Sequence, residues 1–233
     1  MSASPKTPAR PAYSVRTLQL FRALFAAIAA LMITFSSDHS ATVGLTIFGG
    51  FAVSTALVFV LAAWLVAPAG GRWWYLLFAA IAFVTGTLAG VPALHSPTMF
   101  FVLIIIWGTL TGALEILVGL RERKARKQAQ DATHLTDIDT SRDSLITGAL
   151  GILLALGVLA VPVQYTLNYS IEGAGDFTLT GITVAVGIFG GYAAIVAVLL
   201  GIAGLSPRNT PADSVITEAP APRAAATDHG GIA

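Results

Sequence analysis

The sequence predicts an all-α membrane protein with six transmembrane helices arranged as three parallel-repeat helical hairpins, and with both termini in the cytoplasm. Three observations lead to this class: an apolar composition, six apolar stretches of membrane-spanning length, and basic residues confined to one side of them. Of the 233 residues, 55% are hydrophobic and only 11% are charged. Soluble domains have about 25% charged residues, so lipid is the expected surrounding of most of this chain.

Each of the six apolar stretches is long enough to cross about 30 Å of hydrocarbon. Helix is the expected state, because backbone groups in lipid must be satisfied within the segment. The predicted transmembrane domain covers 17–205, with spans at about 18–35, 41–66, 73–91, 98–120, 144–165 and 178–205, and a cytoplasmic loop at 121–143. The segments 1–16 and 206–233 are rich in Pro, Ala, Ser and Thr, and we expect both to be disordered.

The basic residues determine the orientation. All thirteen lie before or at the start of the first span, between spans two and three, between spans four and five, or after span six. The three opposite loops contain no Lys or Arg and instead carry Asp38, Glu172 and Asp176. The positive-inside rule therefore predicts a multi-pass protein of the bacterial cytoplasmic membrane with both termini inside.

Two short sequences recur along the chain. LFAAIA occurs at 24–29 and at 77–82, and IFGG occurs at 47–50 and at 188–191. These matches align spans 1–2, 3–4 and 5–6 as three hairpins, which are parallel because each begins and ends inside. The first span also has features of a cleaved signal peptide, but the repeat needs this span as a partner.

Span four and span five carry a set of motifs that resembles a known family. They are Trp107-Gly108, the GALE sequence at 112–115, the basic cluster 121–124 and the glycine-spaced segment 148–162 that ends in proline. The chain resembles the HdeD-type family, small six-helix bacterial membrane proteins associated with acid resistance. The resemblance implies a six-helix fold and a stress-related role, and it transfers no chemistry to any residue.

Glu115 is a charged side chain well inside a predicted span. A charge at the middle of a bilayer costs roughly 2.5–3.5 kcal/mol on insertion scales, so its presence requires a reason. The side chain could extend to the basic cytoplasmic rim, or it could pair with Arg22, which lies just inside the same end of span one. It could also carry a proton or bind a substrate.

Small residues line one face of two spans. Such faces let helix backbones approach closely, either within the bundle or against a partner protein. On span four the face shares the side of Glu115 and consists of Gly108, Gly112 and Gly119, and on span six it consists of Thr183, Gly187 and Gly191.

The remaining sequence features narrow the function. The chain has no cysteine and no P-loop, GxSxG, HExxH or dinucleotide motif, so we expect no catalysis, no cofactor and no metal site. Without a folded soluble domain, nucleic-acid binding is not expected either. The basic cluster after span four suits anionic lipid headgroups; its members are Arg121, Arg123, Lys124, Arg126 and Lys127.

Two functions are compatible with these observations. The first is a non-catalytic structural, accessory or stress-related membrane protein, specifically an accessory subunit that binds other membrane-protein subunits through its glycine faces. The alternative is a small proton-coupled transporter or channel that uses Glu115. Transporters commonly contain helices broken by Gly or Pro near the middle of a span, whereas Pro68, Pro92, Pro162 and Pro207 all lie at predicted span ends. This placement favours the accessory role.

Overall fold

The computed structural model describes residues 15–65, 71–129, 136–173 and 175–206. Within these ranges the chain forms six helices that are long and apolar enough to cross a membrane. The coarse prediction of a multi-pass helical membrane protein is therefore correct. The helices are α1 (Val15–Phe35), α2 (Ala41–Leu65), α3 (Arg72–Ala89), α4 (Pro97–Ala129), α5 (Thr136–Leu159) and α6 (Gly181–Leu205), with a 3-10 turn at Pro92–Leu94 before α4.

Several predicted boundaries differ from the structure. The helix α1 begins at Val15, so the last residues of the segment 1–16 are helical, and the rest of that segment and 207–233 lie outside the described residues. The predicted loop 121–143 is largely helical, because α4 continues to Ala129 and α5 begins at Thr136. Arginine and lysine are good helix formers, so the basic first part of this segment prolongs α4 beyond the predicted end of span four.

The fifth predicted span is too long at its C-terminal end and the sixth at its N-terminal end. The helix α5 ends at Leu159, before the predicted end at residue 165, because Pro162 has no N–H with which to continue the helix. The helix α6 begins at Gly181 and not at 178, since the residues before it form a strand. The intervening segment is an antiparallel hairpin of β1 (Thr166–Ile171) and β2 (Gly175–Thr180).

The hairpin alternates apolar and polar side chains, as a two-faced strand pair does. Leu167 faces Leu179 and Tyr169 faces Phe177, and the latter two rings stack with their centroids 5.7 Å apart. Gly173 and Gly175 have positive φ values of 82° and 97°, which allow the tight reversal between the strands. No strand is predicted between the fifth and sixth spans, although the alternation is visible in the sequence of this segment.

The six helices form a closed ring in which each packs against the helices before and after it, and α1 packs against α6. Packing is most extensive between α2 and α3, between α4 and α5, and between α6 and α1. It is looser within the predicted hairpins α1–α2, α3–α4 and α5–α6. Across the ring, α2, α4 and α6 also contact one another, so these three helices surround the axis of the bundle.

Glycines explain the close approach of α4 and α5. A Cβ atom added to Gly112 would lie 2.7 Å from the carbonyl oxygen of Gly148, and one added to Gly148 would lie 2.7 Å from the carbonyl oxygen of Gly112. A Cβ atom added to Gly108 would likewise lie 2.8 Å from the carbonyl oxygen of Gly151. Side chains at these positions would push the two backbones apart.

This packing predicts different effects for two glycine-to-alanine changes. Gly112→Ala is expected to destabilise the bundle by about 1–3 kcal/mol, because its Cβ would meet α5 backbone that cannot move aside. Gly191→Ala is the control, since a Cβ there has no atom within 4 Å and alanine is the better helix former. Thermal unfolding of the two purified variants in detergent measures the difference, and equal melting temperatures would contradict this packing.

Candidate functional site: an axial polar cavity around Arg22 and Glu115

A buried ion pair crosses the interior of the bundle. The Nη2 atom of Arg22 on α1 lies 2.5 Å from Oε1 of Glu115 on α4, and the two side chains are 19% and 10% exposed. The Arg22 guanidinium also lies over the Phe59 ring, 4.9 Å from its centroid, where a cation is attracted to the ring face. The sequence allows three roles for Glu115. Its side chain does not extend to the basic rim, because the carboxylate is paired with Arg22.

A cavity of about 230 Å³ lies between the ion pair and the basic end of the bundle. We call it the vestibule. All six helices contribute to its lining, so it lies on the axis of the ring. Its polar side chains include those of Gln19, Glu122, Asp143, Ser144 and Thr147, in addition to Arg22 and Glu115.

A second, much smaller cavity lies on the other side of the ion pair. This inner cavity of about 20 Å³ is also lined by all six helices, and its size suits one water molecule. Thr55 and Trp107 line it and are 6% and 3% exposed, and neither Thr55 Oγ1 nor Trp107 Nε1 has a hydrogen-bond partner among the described residues. Buried polar atoms of this kind suit a small polar molecule, because leaving them unsatisfied costs about 1–3 kcal/mol each.

The ion pair lies at the junction of the two cavities. Arg22 and Glu115 line both of them, together with Phe59, Phe78 and Thr147. A change in the pairing of Arg22 with Glu115 would therefore alter the connection between the vestibule and the inner cavity.

Aromatic rings close the axis beyond the inner cavity. We call Phe48, Phe51, Trp107 and Phe189 the aromatic cluster. The two rings from α2, Phe48 and Phe51, each contact Trp107 of α4 and Phe189 of α6 edge to face, with ring centroids 5.6 to 5.8 Å apart. Such contacts are worth about 0.5–1.5 kcal/mol each beyond the burial of area. The axis therefore runs from the vestibule through the ion pair and the inner cavity to an apolar barrier.

The two small-residue faces differ in their surroundings. The span-four face is covered by α5: Gly108 and Gly112 meet its backbone, and a Cβ on Gly119 would lie 2.9 Å from Cγ of Leu145. On α6, by contrast, Gly187 and Gly191 are exposed, and a Cβ added to either would have no atom within 4 Å. Thr183 is engaged locally, because its Oγ1 lies 2.9 Å from Oγ1 of the helix-capping Thr180.

The basic cluster is on the surface where the side chains are described. Arg121 lies over the Trp74 ring, 5.6 Å from its centroid, and Arg123 and Lys124 are exposed. The side chains of Arg126 and Lys127 lie outside the described part of the structure. Among the residues described, no three His, Asp or Glu side chains converge in a way that could hold a metal ion.

Most of the polar lining of the axis was not predicted from the sequence. Gln19 is buried, and its Nε2 donates a 3.0 Å hydrogen bond to Oδ2 of Asp143, which joins α1 to α5. Thr55, Thr147 and Trp107 were not singled out as site residues either. The available signal was that several threonines and Gln19 lie inside apolar spans, but one sequence does not reveal which side of a helix faces the axis.

No family model, curated protein or solved structure matches this chain. The resemblance to the HdeD-type family therefore gains no support from these comparisons and stays a prediction. The features that bear on function are therefore the axial cavities and the open glycine face of α6.

Proposed function

We propose that this chain is a small, non-catalytic, proton-coupled transporter of the bacterial cytoplasmic membrane, with Glu115 as the proton-carrying group. The observation that supports this proposal is the axis itself: two cavities lined by all six helices meet at the Arg22–Glu115 pair. Ionisable residues inside membrane spans commonly mark ion or substrate pathways. The sequence favoured an accessory subunit, but the span-four glycine face on which that view partly depended is already occupied by α5.

The orientation of the axis follows from the basic residues. Arg72 and the cluster at 121–124 lie at the end of the bundle where the vestibule is found. With these residues in the cytoplasm, the vestibule faces inward and the aromatic cluster lies toward the outside. This is the arrangement of a transporter in its inward-facing state.

The proposed fold symmetry has support from helix contacts. A Cβ added to Gly49 of α2 would lie 3.1 Å from the oxygen of Gly86 on α3, and one added to Gly190 of α6 would lie 2.8 Å from Ile33 on α1. The IFGG alignment matches Gly49 with Gly190, and the LFAAIA alignment matches Ile33 with Gly86. Matched positions therefore make matched contacts, as three parallel hairpin repeats would.

Coupling would operate through the ion pair. A proton on Glu115 removes its charge and with it most of the attraction for Arg22. Since the pair joins α1 to α4 across the axis, its release changes the balance between two arrangements of these helices. Transport requires the aromatic cluster to open in the second arrangement. Protonation of Glu115 and opening of the aromatic cluster are therefore linked.

Proton flux into liposomes tests this function. Protein reconstituted into vesicles with a pH-sensitive dye inside is expected to carry protons down an imposed gradient, and Glu115→Gln is expected to reduce the rate at least tenfold. Glu172→Gln is the control, because it makes the same chemical change in the exposed turn of the outer hairpin. No flux above that of empty liposomes, or equal flux in all three proteins, would remove the proposal.

A second candidate function is supported by the face of α6 that the bundle leaves open. Gly187 and Gly191 are exposed side by side on successive turns, as in helices that pack closely against a partner in the bilayer. An accessory subunit of a larger membrane complex would dock there, with lipid covering the other outer faces.

Co-purification tests the accessory role. If α6 docks onto another membrane protein, gentle detergent extraction is expected to retain that protein, and Gly187→Leu with Gly191→Leu is expected to release it. Gly50→Leu is the matched control, because Gly50 is a similarly open glycine on α2. Recovery of the same proteins with all variants would contradict docking through α6.

A further inference from the structure

We infer that the β-hairpin between α5 and α6 lies along the bilayer surface, with one of its faces in contact with lipid. The register of β1 and β2 places successive cross-strand pairs on opposite faces. One face, which we call the apolar face, consists of Leu167, Tyr169, Ile171, Phe177 and Leu179. The other, the polar face, consists of Thr166, Asn168, Ser170, Asp176, Thr178 and Thr180.

The bundle leaves the apolar face open. Leu167, Tyr169, Ile171 and Phe177 are 42 to 48% exposed, although Tyr169 and Phe177 stack on each other. The hairpin makes most of its helix contacts with α6, the element that follows it in the chain. A two-stranded hairpin is only marginally stable by itself, and a contiguous exposed apolar face marks an interaction surface. The apolar face therefore requires an occupant from outside the bundle.

The attachment of the hairpin places it at the membrane boundary. The helix α5 ends at Leu159, and α6 begins at Gly181, whose backbone N–H donates a 2.8 Å hydrogen bond to the carbonyl oxygen of Tyr165. The base of the hairpin is thus held at the ends of two spans, at the end of the bundle away from the basic cluster. Both spans have exposed apolar side chains, such as Leu159 and Ile195. A lipid-facing surface therefore leads directly to the hairpin.

The length of the strands favours a hairpin that lies along the surface over one that stands upright. Each strand has six residues, which span about 20 Å, whereas the headgroup region on each side of the hydrocarbon is only about 5–7 Å thick. An upright hairpin would hold most of its apolar face in water. A hairpin lying flat places the whole face in the headgroup region, where tyrosine is enriched, and turns the polar face to water.

Charge favours lipid over a second copy of this chain as the occupant. The segment 160–180 contains Glu172 and Asp176 and no Lys or Arg, and the connections 36–40 and 90–96 at the same end contain Asp38 and likewise no Lys or Arg. Two copies brought together at this end would meet with like charges. Both carboxylates of the hairpin can stay in water, because Glu172 lies in the turn and Asp176 on the polar face. Neutral lipid is therefore sufficient.

Spin labelling tests the contact, because the chain has no cysteine and each variant then has one thiol. Leu167→Cys and Ile171→Cys label the apolar face, and Asn168→Cys and Ser170→Cys label the polar face. In full-length protein in phosphatidylcholine vesicles, electron paramagnetic resonance compares collisions with oxygen, which concentrates in lipid, and with a water-soluble nickel chelate. The oxygen-to-nickel ratio is expected to be about threefold or more higher on the apolar face.

Two labels calibrate this ratio. Val198→Cys, at an exposed position of α6, gives the value for lipid, and Glu172→Cys, in the exposed turn of the hairpin, gives the value for water. The two apolar-face positions are expected to approach the first value and the two polar-face positions the second.

Removal of the stacked rings tests the same contact in a second way. In the labelled Leu167→Cys protein, Tyr169→Ser with Phe177→Ser is expected to lower the oxygen-to-nickel ratio about threefold, because most of the inserted apolar area is lost. Asn168→Ser with Thr178→Ser is the matched control, since it alters the neighbouring cross-strand pair on the polar face. The control is expected to leave the ratio unchanged.

Three results would overturn this inference. Equal ratios on the two faces would mean that water surrounds the hairpin. Low accessibility of Leu167→Cys or Ile171→Cys to both reagents would mean that protein covers the apolar face. A ratio that is unchanged by the loss of both rings would mean that they do not contact lipid. None of these measurements depends on whether the protein carries protons, so the lipid contact and the proposed function fail separately.

Discussion

The ion pair between Arg22 and Glu115 imposes the main constraint on this bundle. A charged side chain inside a membrane span is costly, and a buried pair recovers that cost only when its geometry is good and its surroundings are polar. Here the two charges approach to 2.5 Å, and threonine, glutamine and carboxylate side chains line the cavities around them. The polar lining is therefore concentrated along the axis, in the two cavities that meet at the ion pair, and apolar packing surrounds it.

The glycine contacts make this arrangement possible. Arg22 and Glu115 lie on helices that are not neighbours in the ring, so they meet only if the ring is tight. Backbone-to-backbone approach of α4 and α5 at Gly112 and Gly148 narrows the ring on one side. The aromatic cluster then fills the axis beyond the inner cavity with apolar rings. Close packing and a polar axis are thus two consequences of the same helix arrangement.

The sequence predicted much of the fold and little of the site. Spans were predictable because hydrocarbon thickness sets a minimum length, and Glu115 and Arg22 stood out because charges are rare in spans. The β-hairpin was missed because residues 166–177 lie between two predicted spans, where a loop is the default expectation, and because the last residues of β2 fall within the predicted sixth span. The vestibule could not be predicted, since Gln19 and Asp143 are far apart in sequence and meet only after α1 and α5 have packed. Helix packing also decides that the glycine face of α4 is covered and that of α6 is open, and the sequence alone does not show this.

The central claim is that Arg22 and Glu115 stabilise each other across the axis. A double-mutant cycle tests it most directly, with Arg22→Gln, Glu115→Gln and both changes together, and with the free energy of unfolding measured in mixed micelles. Each single change is expected to cost about 3 kcal/mol, because it leaves one buried charge without its partner. The double variant is expected to be more stable than the sum of the single effects by at least about 1 kcal/mol. Strictly additive losses would contradict the pairing and the account of the axis built on it.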